Sequence, residues 1–412
     1  MTIVETGALF LIGTSTAAAA GFNFTHIGSP DDALGSEVTV ATDDGNLAGG
    51  SVVALVEASP RPYARYTAVR WTPEMGIKTL PNLSDNAATQ TTSVRSYVAV
   101  RDLTADGSKL LFNSHTTSDV RRATAVCSPD GSNIFELTTL PGGEKITIGN
   151  QISDGGAVIF GYDIDVVVNR TSRWTAATGF EVLALPAPYN RSAPAQGAIS
   201  TDGAVSAGAM FTYDADFNQT ASQAYWWTAA EGVKGIGYLP GHDRSNALDL
   251  SADGSVVLGS SSNSTTSASE LFLWKDGAMT SLGYPHEGNP GDYFVAAAAM
   301  NSDVRVVTVA QEHSFCPLGC ETEQNYISYI MNPENGYYVE FREAVAKARG
   351  TSAIKGWRDF YINGVTDDGN TVYGNAVGPG GKFEGFIGVP AHDGRADTPP
   401  EHFDTVAGRL CR

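Results

Sequence analysis

The chain has 412 residues, of which 45 are glycine and 17 % are charged, and its 26 Lys and Arg stand against 45 Asp and Glu for a formal charge of −19. So much glycine with so little charge reads as many short strands joined by turns, and excludes a coiled coil, a collagen-like rod and a disordered tail. The acidic balance offers no field to attract nucleic acid or an anionic membrane, so no nucleic acid and no membrane is expected among its partners.

The chain opens with a short apolar core, Gly7 to Gly13, that runs into Thr14-Ser15-Thr16-Ala17-Ala18-Ala19-Ala20. Although Glu5 stands where a basic residue is usual, the pattern predicts a signal peptide over residues 1–20, and hence a protein secreted or held in the secretory-pathway lumen. No other stretch reaches the roughly 18 apolar residues of a membrane span. Residues 21–412 then form a single domain.

A turn signal recurs along that domain: Thr42-Asp43-Asp44-Gly45, Thr104-Ala105-Asp106-Gly107, Ser153-Asp154-Gly155, Ser200-Thr201-Asp202-Gly203, Ser251-Ala252-Asp253-Gly254, Asn301-Ser302-Asp303 and Thr366-Asp367-Asp368-Gly369. Its spacing of 48–65 residues suits one four-stranded propeller blade per repeat. Asp followed by Gly makes a tight hairpin, because the carboxylate caps its own turn and Gly accepts a positive φ.

The fifth copy shows the internal grammar best. Strand A is Ala247 to Leu250, B is Ser255 to Gly259, C is Glu270 to Trp274 and D is Met279 to Gly283. The C–D turn recurs as Trp71-Thr72, Trp174-Thr175 and Trp227-Thr228, each followed by Gly76, Gly179 and Gly232. Strand D runs into Leu80-Pro81, Leu140-Pro141, Leu185-Pro186 and Leu239-Pro240, where proline stops the ladder. These Trp and Leu positions are expected to pack between blades. The last repeat supplies only three strands, Tyr361 to Thr366, Thr371 to Ala376 and Phe383 to Pro390, after a short helix over 341–348. The segment Phe24 to Pro30 matches strand D of the fifth copy. The predicted fold is therefore an all-β, seven-bladed β-propeller closed by an N-terminal strand that completes the last blade.

This grammar, S-x-D-G-x-x-V-x-G, then a W-T turn, then L-G-x-L-P, resembles the HAF repeat of secreted proteins. Val304 in the sixth copy stands where that pattern has glycine. The resemblance implies the fold and leaves activity open, since such repeats occur in proteins of unrelated roles.

Among four cysteines, Cys316 and Cys320 bracket a very short loop and are expected to form a disulfide, while Cys127 and Cys411 are either a second pair or free thiols. Neither spacing suits a zinc site. Glycosylation sequons fall at Asn23, Asn82, Asn169, Asn190, Asn218 and Asn263.

In a blade of this kind the A–B and C–D turns share one end, while the D–A crossings and B–C loops share the other. The first end looks bland, its aspartates serving as turn caps. The second end carries the variation and is where the site is expected. Candidate catalytic residues there are His242, Arg244, Tyr189 and Arg191, with substrate contacts from Asp243, His286, Tyr293, Trp357, Arg358, Tyr361, Arg95 and Tyr97. Asp214-Ala215-Asp216-Phe217-Asn218 begins like a calcium loop but lacks the glycine and closing glutamate of an EF-hand, so no metal is assigned. No nucleophile elbow, zincin motif or phosphate-binding loop occurs, and no cofactor is expected.

Three functions fit these residues. The general layout resembles the fungal hetero-Diels–Alderases of tropolone sesquiterpenoid pathways, which implies a secreted enzyme of secondary-metabolite biosynthesis. Such an enzyme would dehydrate a small-molecule apolar substrate to a quinone methide and orient the cycloaddition in a funnel pocket. The alternatives are a polysaccharide lyase acting on a uronate, with Arg or His neutralising the carboxylate, and a non-catalytic extracellular binding propeller.

Overall fold

The computed structural model describes residues 22–56, 63–81, 98–115, 122–137, 147–164, 169–266, 268–283, 293–313, 326–347 and 352–390. The predicted signal peptide, Asn82, Arg95, Tyr97, His286, Cys316, Cys320 and Cys411 lie outside them.

Almost every described element is a strand. β1 (Phe22–His26) comes first and stands apart from its neighbours in sequence. Then β2 (Ala33–Ala41), β3 (Ala48–Val56), β4 (Tyr63–Thr72) and β5 (Gly76–Thr79) pair in order, each antiparallel to the last. The same four-strand meander repeats as β6 (Val100–Leu103), β7 (Leu110–His115), β8 (Arg122–Cys127) and β9 (Phe135–Leu137), and as β10 (Thr147–Ile152), β11 (Val158–Ile164), β12 (Asn169–Thr175) and β13 (Gly179–Val182). It continues with β14 (Arg191–Ile199), β15 (Val205–Tyr213), β16 (Gln219–Thr228) and β17 (Gly232–Gly235), then β18 (Arg244–Leu250), β19 (Val256–Ser262), β20 (Ser269–Lys275) and β21 (Ala278–Gly283). After β22 (Tyr293–Met300), β23 (Val307–His313), β24 (Tyr326–Asn332) and β25 (Tyr337–Glu340) comes the helix α1 (Phe341–Lys347). The final strands are β26 (Arg358–Val365), β27 (Val372–Val377) and β28 (Phe383–Pro390).

The predicted turn chemistry is present in five of the seven copies; in the third, Asp154 stands one position before the cap, which Gly155 occupies, and does not cap the turn. Asp44, Asp106, Asp202, Asp253 and Asp368 each accept a bond from the Ser or Thr two residues back and from the backbone N–H two residues on. The hydroxyl bond from Thr104 and those from Ser108 hold Asp106 down at about 2. Trp71, Trp227 and Trp274 and the strand-D leucines Leu80 and Leu239 are buried between sheets, as their repetition predicts.

The last three strands take their fourth partner from the other end of the chain. β1 lies antiparallel to β28, Phe22 opposite Pro390 and His26 opposite Phe386. Ile27 N–H then donates to the Gly385 carbonyl, as Ile236 donates to Ala224 and Leu80 to Ala68 where their strands end. Gly28 follows with φ 71°, matching Gly237 and Gly283 at 87° and 77°, a conformation that glycine adopts at little cost. Ser36 repeats the join made elsewhere: its hydroxyl donates to Gly28 O and accepts from Gly385 N–H, as Ser245 donates to Gly237 O and accepts from Ala224 N–H. Phe24 packs onto Trp357, Phe360 and Phe386, so the strand is also held by ring contacts.

Candidate functional site: a central cavity

The first strand of each meander slips in register on the approach to the turn that follows it. The ladders slip at Val38/Val40, Val100/Asp102, Gly149/Gln151, Ala247/Asp249, Val295/Ala297 and Ile362/Gly364, and over a longer stretch at Pro194/Ile199. A β-bulge leaves one residue unpaired and turns its side chain away from the sheet's alternation. Thr39, Arg101, Leu248, Ala296 and Asn363 are such residues, and all of them line one cavity of about 410 Å³. Every first strand contributes to its wall, so this cavity lies where the inner edges of the sheets converge.

The longest bulge crosses it. Gln196, beside Gly197 at φ 75°, reaches from β14 to donate to the Arg101 carbonyl at 3.1 Å and the Thr39 carbonyl at 3.5 Å. Asn150 and Gln151 anchor the start of that bulge by donating to the Pro194 and Ala195 carbonyls.

Carboxylates dominate the titratable lining. Asp102 accepts bonds from Leu103 N–H at 2.9 Å and from Ile152 N–H in the next meander at 2.8 Å; Asp249 does the same with Leu250 and Met300, both at 2.7 Å. Burial outweighs these bonds and pushes both carboxyls up to about 7. Towards the turns, Asp43 is raised to about 6 by burial and by the charges of Asp368 and Asp367, and Asp154 is raised by burial and by Asp367 and Asp106. Ala105, Thr201 and Ala252 take the place of Asp43 and Asp154 in other copies of the turn, so the turn does not need an acid there.

One hydroxyl enters from outside the first strands. Tyr373 sits on β27 opposite Gly364, and a Cβ at Gly364 would fall onto the Tyr373 ring and hydroxyl. The missing side chain is what lets the phenol pass β26 into the cavity. Burial, and then the charges of Asp249, Asp102 and Asp367, raise its pKa strongly, so it keeps its proton. Tyr361 also lines the cavity, edge-on to Tyr326 at 5.1 Å and raised to about 12, by burial first.

Of the predicted site residues that are described, Tyr361 alone lines this cavity. The others with described side chains lie at the far ends of the sheets. His242 is largely buried, with Nε2 3.9 Å from Glu270 Oε1 and Nδ1 without a partner. Asp243 accepts from Ser264 N–H at 2.8 Å, and Arg244 opens β18 with a single bridge to Ser222. The Tyr189 hydroxyl lies 3.4 Å from that of Tyr238 and is raised by burial, while Arg191 stacks on Tyr213. Trp357 is buried in the α1 cluster, and Arg358 pairs with Asp359. Tyr293 begins β22 opposite His313. Apart from Tyr293, of which only the strand pairing is described, these residues form separate local contacts.

The Asp214 loop is a turn. Asp214 accepts from Asp216 N–H, Asn218 N–H and the Asn218 amide, which accounts for its calcium-like appearance. No group of three or more His, Cys, Asp or Glu arranged to hold a metal occurs among the described residues. Cys127 is buried and forms no disulfide with a described residue, its thiol pushed up to about 11 by burial. Among the sequons, Asn23 and Asn169 are exposed, whereas the amides of Asn190 and Asn263 are tied to the Tyr213 and Gly241 carbonyls.

No protein-family model matches the sequence, and no curated protein does. Solved structures do. An oligogalacturonate lyase in complex with manganese superposes with a TM-score of 0.55 at 12 % identity, covering 91 % of this chain and 95 % of that one. The β-propeller domain of the Trilobed protease from Pyrococcus furiosus gives 0.52 at 11 %, covering 88 % and 99 %. Virginiamycin B lyase from Staphylococcus aureus gives 0.50 at 13 %, covering 90 % and 99 %. The chain spans 64 % of TolB from Acinetobacter baumannii, at a TM-score of 0.44. The fold is all-β, and its structural neighbours are β-propellers.

Proposed function

We propose that the chain is a lyase-type propeller enzyme whose reaction takes place in the central cavity. The carrying observation is Tyr373, threaded past Gly364 to stand among Asp102, Asp249 and Asp367. A carboxylate poised at about 7 is matched to take a proton from carbon at neutral pH, and a phenol that still carries its proton can give it to a departing alkoxide, the stronger base. In such an elimination the C–H electron pair becomes the new C=C bond, the C–O bond breaks, the aspartate takes the carbon-bound proton and Tyr373 protonates the departing oxygen. The acidic lining favours a small polar substrate without net negative charge over a polyuronate. An apolar quinone methide calls for an apolar pocket, which aspartates, threonines and Arg101 do not provide, so the lining does not favour cycloaddition.

The same reading takes the molecule as a seven-bladed propeller closed by β1, supported by the β1–β28 ladder and the repeated Ser36 join. Residues 1–20 are taken as a signal peptide, so the secreted protein is expected to begin at Gly21. The enzymatic reading is tested by incubating the protein with a panel of hydroxy-acid amides, amino sugars and neutral glycosides, and following the ultraviolet absorbance of new C=C bonds. Turnover that rises with pH through about 7, as the base ionises, is the expected result. A panel that yields no unsaturated product from pH 5 to 9, or a rate that falls through that range, removes the proposal.

A further inference from the structure

We propose a second ligand site at the opposite end of β14–β16 from the cavity turns, built on Arg191, Tyr213 and Phe217, for a small ring bearing a carboxylate. Arg191 opens β14, and its guanidinium carbon lies 4.1 Å from the centroid of the Tyr213 ring and 5.7 Å from that of Phe217. Its guanidinium has no hydrogen-bond or ion-pair partner among the described residues. In a chain of charge −19, a guanidinium that meets no carboxylate among the described residues and lies against two rings can turn its planar N–H edge to a guest.

Phe217 carries two costs at one position. It is 60 % exposed, the highest value among the described large apolar side chains, and it takes φ 63°, a conformation that glycine takes in the neighbouring turns at Gly203 and Gly254. The turn itself does not need the ring: Asp214 closes it through the N–H groups of Asp216 and Asn218, and Asp214 N–H donates to the Asn218 carbonyl. Glycine would fit position 217 with less strain and no exposed apolar surface. What the phenylalanine adds is a face held beside the guanidinium. Tyr213 is fixed behind them, its hydroxyl donating to Gln219 at 3.1 Å and its backbone held by both ends of the Asn190 amide.

This arrangement matches a ring whose carboxylate takes the Arg191 fork while its apolar face lies on Phe217, as a hexuronate or an aromatic acid would. Asp214 and Asp216 in the same turn oppose a multiply charged guest, so a single carboxylate is the best fit. Affinity is expected in the millimolar range, on the order of −4 kcal/mol by the standard conversion. The site stands apart from the cavity chemistry, because the cavity lining of this meander runs from Ala195 to Thr201, whereas Arg191 opens β14 and Phe217 lies in the turn after β15.

The test is a titration of the whole protein with glucuronate, benzoate, glucose and acetate, read by amide chemical shifts. Binding by glucuronate or benzoate at least about tenfold tighter than by glucose and acetate is expected, with shifts centred on 191, 213 and 217. Which of the two acids binds tells a sugar ring from an aromatic one. Phe217→Gly removes the ring and relieves the backbone, so it should melt no lower than wild type while losing about tenfold in affinity; Arg191→Lys, which keeps the charge and loses the fork, should lose a similar amount. Acetate binding as well as both ring acids, unchanged affinity in Phe217→Gly, or no shift at tens of millimolar would overturn the proposal.

Discussion

The two ends of each sheet differ in how much of their sequence the fold consumes. At the turn end, Ser or Thr, Asp and Gly recur because each closes a hairpin, and even the aspartates are occupied as caps. At the loop end no such pattern repeats, and the side chains there make isolated local contacts: His242 with Glu270, Asp243 with Ser264, Arg358 with Asp359. Variation between repeats therefore does not by itself locate a site. The cavity lies behind the regular turns, where acids at Asp43, Asp154 and Asp367 depart quietly from a pattern that holds elsewhere.

The sharpest way to break this contrast is at Gly364. Gly364→Ala places a methyl on the Tyr373 phenol, so the ring must leave the cavity or the strands must part. A loss of roughly 1–3 kcal/mol in stability, read by denaturant unfolding, should accompany a large fall in turnover. A glycine away from the cavity, such as Gly380, where a methyl would meet nothing within 4 Å, should cost less on the same change and leave turnover intact. A Gly364→Ala protein that matches wild type in both measurements would show that Tyr373 need not enter the cavity.

Next in size is the join between the chain ends. Ser36→Ala leaves the Gly385 N–H and Gly28 carbonyl without their partner and should cost about 1–3 kcal/mol, close to the cost of Ser245→Ala between β14–β17 and β18–β21. If Ser36→Ala alone were silent, β1 would not be performing the part of a fourth strand.

The carboxylates of the two regions also titrate in opposite senses. Asp102 and Asp249 are raised to about 7, so the folded state binds protons more tightly than the unfolded chain, and their contribution to stability grows as pH falls from about 8 towards 4. The turn cap Asp106, lowered to about 2, contributes above the ordinary carboxylate range and is lost as pH falls towards its folded value. The melting temperature should therefore climb from pH 8 to about 5 and drop below about 4. Asp102→Asn should flatten the climb without altering the acid drop. The smallest effect belongs to Cys127, whose buried thiol should resist iodoacetamide in the folded protein and react once it is unfolded.

Much of the fold was legible because its signals are local. Ser251 to Gly254 closes a hairpin whatever surrounds it, and Phe24 to Pro30 could be matched to a fourth strand because both end in a glycine of positive φ. The cavity was not legible by alternation, since the slip in every first strand shifts the residue that points inward. A position count would have served better: Thr39, Arg101, Leu248 and Asn363 each stand three residues before the Ser or Thr of the turn. Tyr373 leaves a fainter mark, a glycine at 364 where the corresponding residues of other repeats include Asp102, Gln151 and Asp249. The end that carries His242, Arg244 and Tyr189 is marked in the sequence by its variety, a property that solvated loops share with sites.

The central claim comes down to a single hydroxyl. Tyr373→Phe removes one oxygen that makes no hydrogen bond to a described residue, so the melting temperature should stay within a few degrees of wild type. On any substrate that the native protein converts, kcat/KM should fall by about a hundredfold or more, the scale of a lost general acid. Native turnover in Tyr373→Phe, with the fold intact, would contradict the assignment of chemistry to the central cavity.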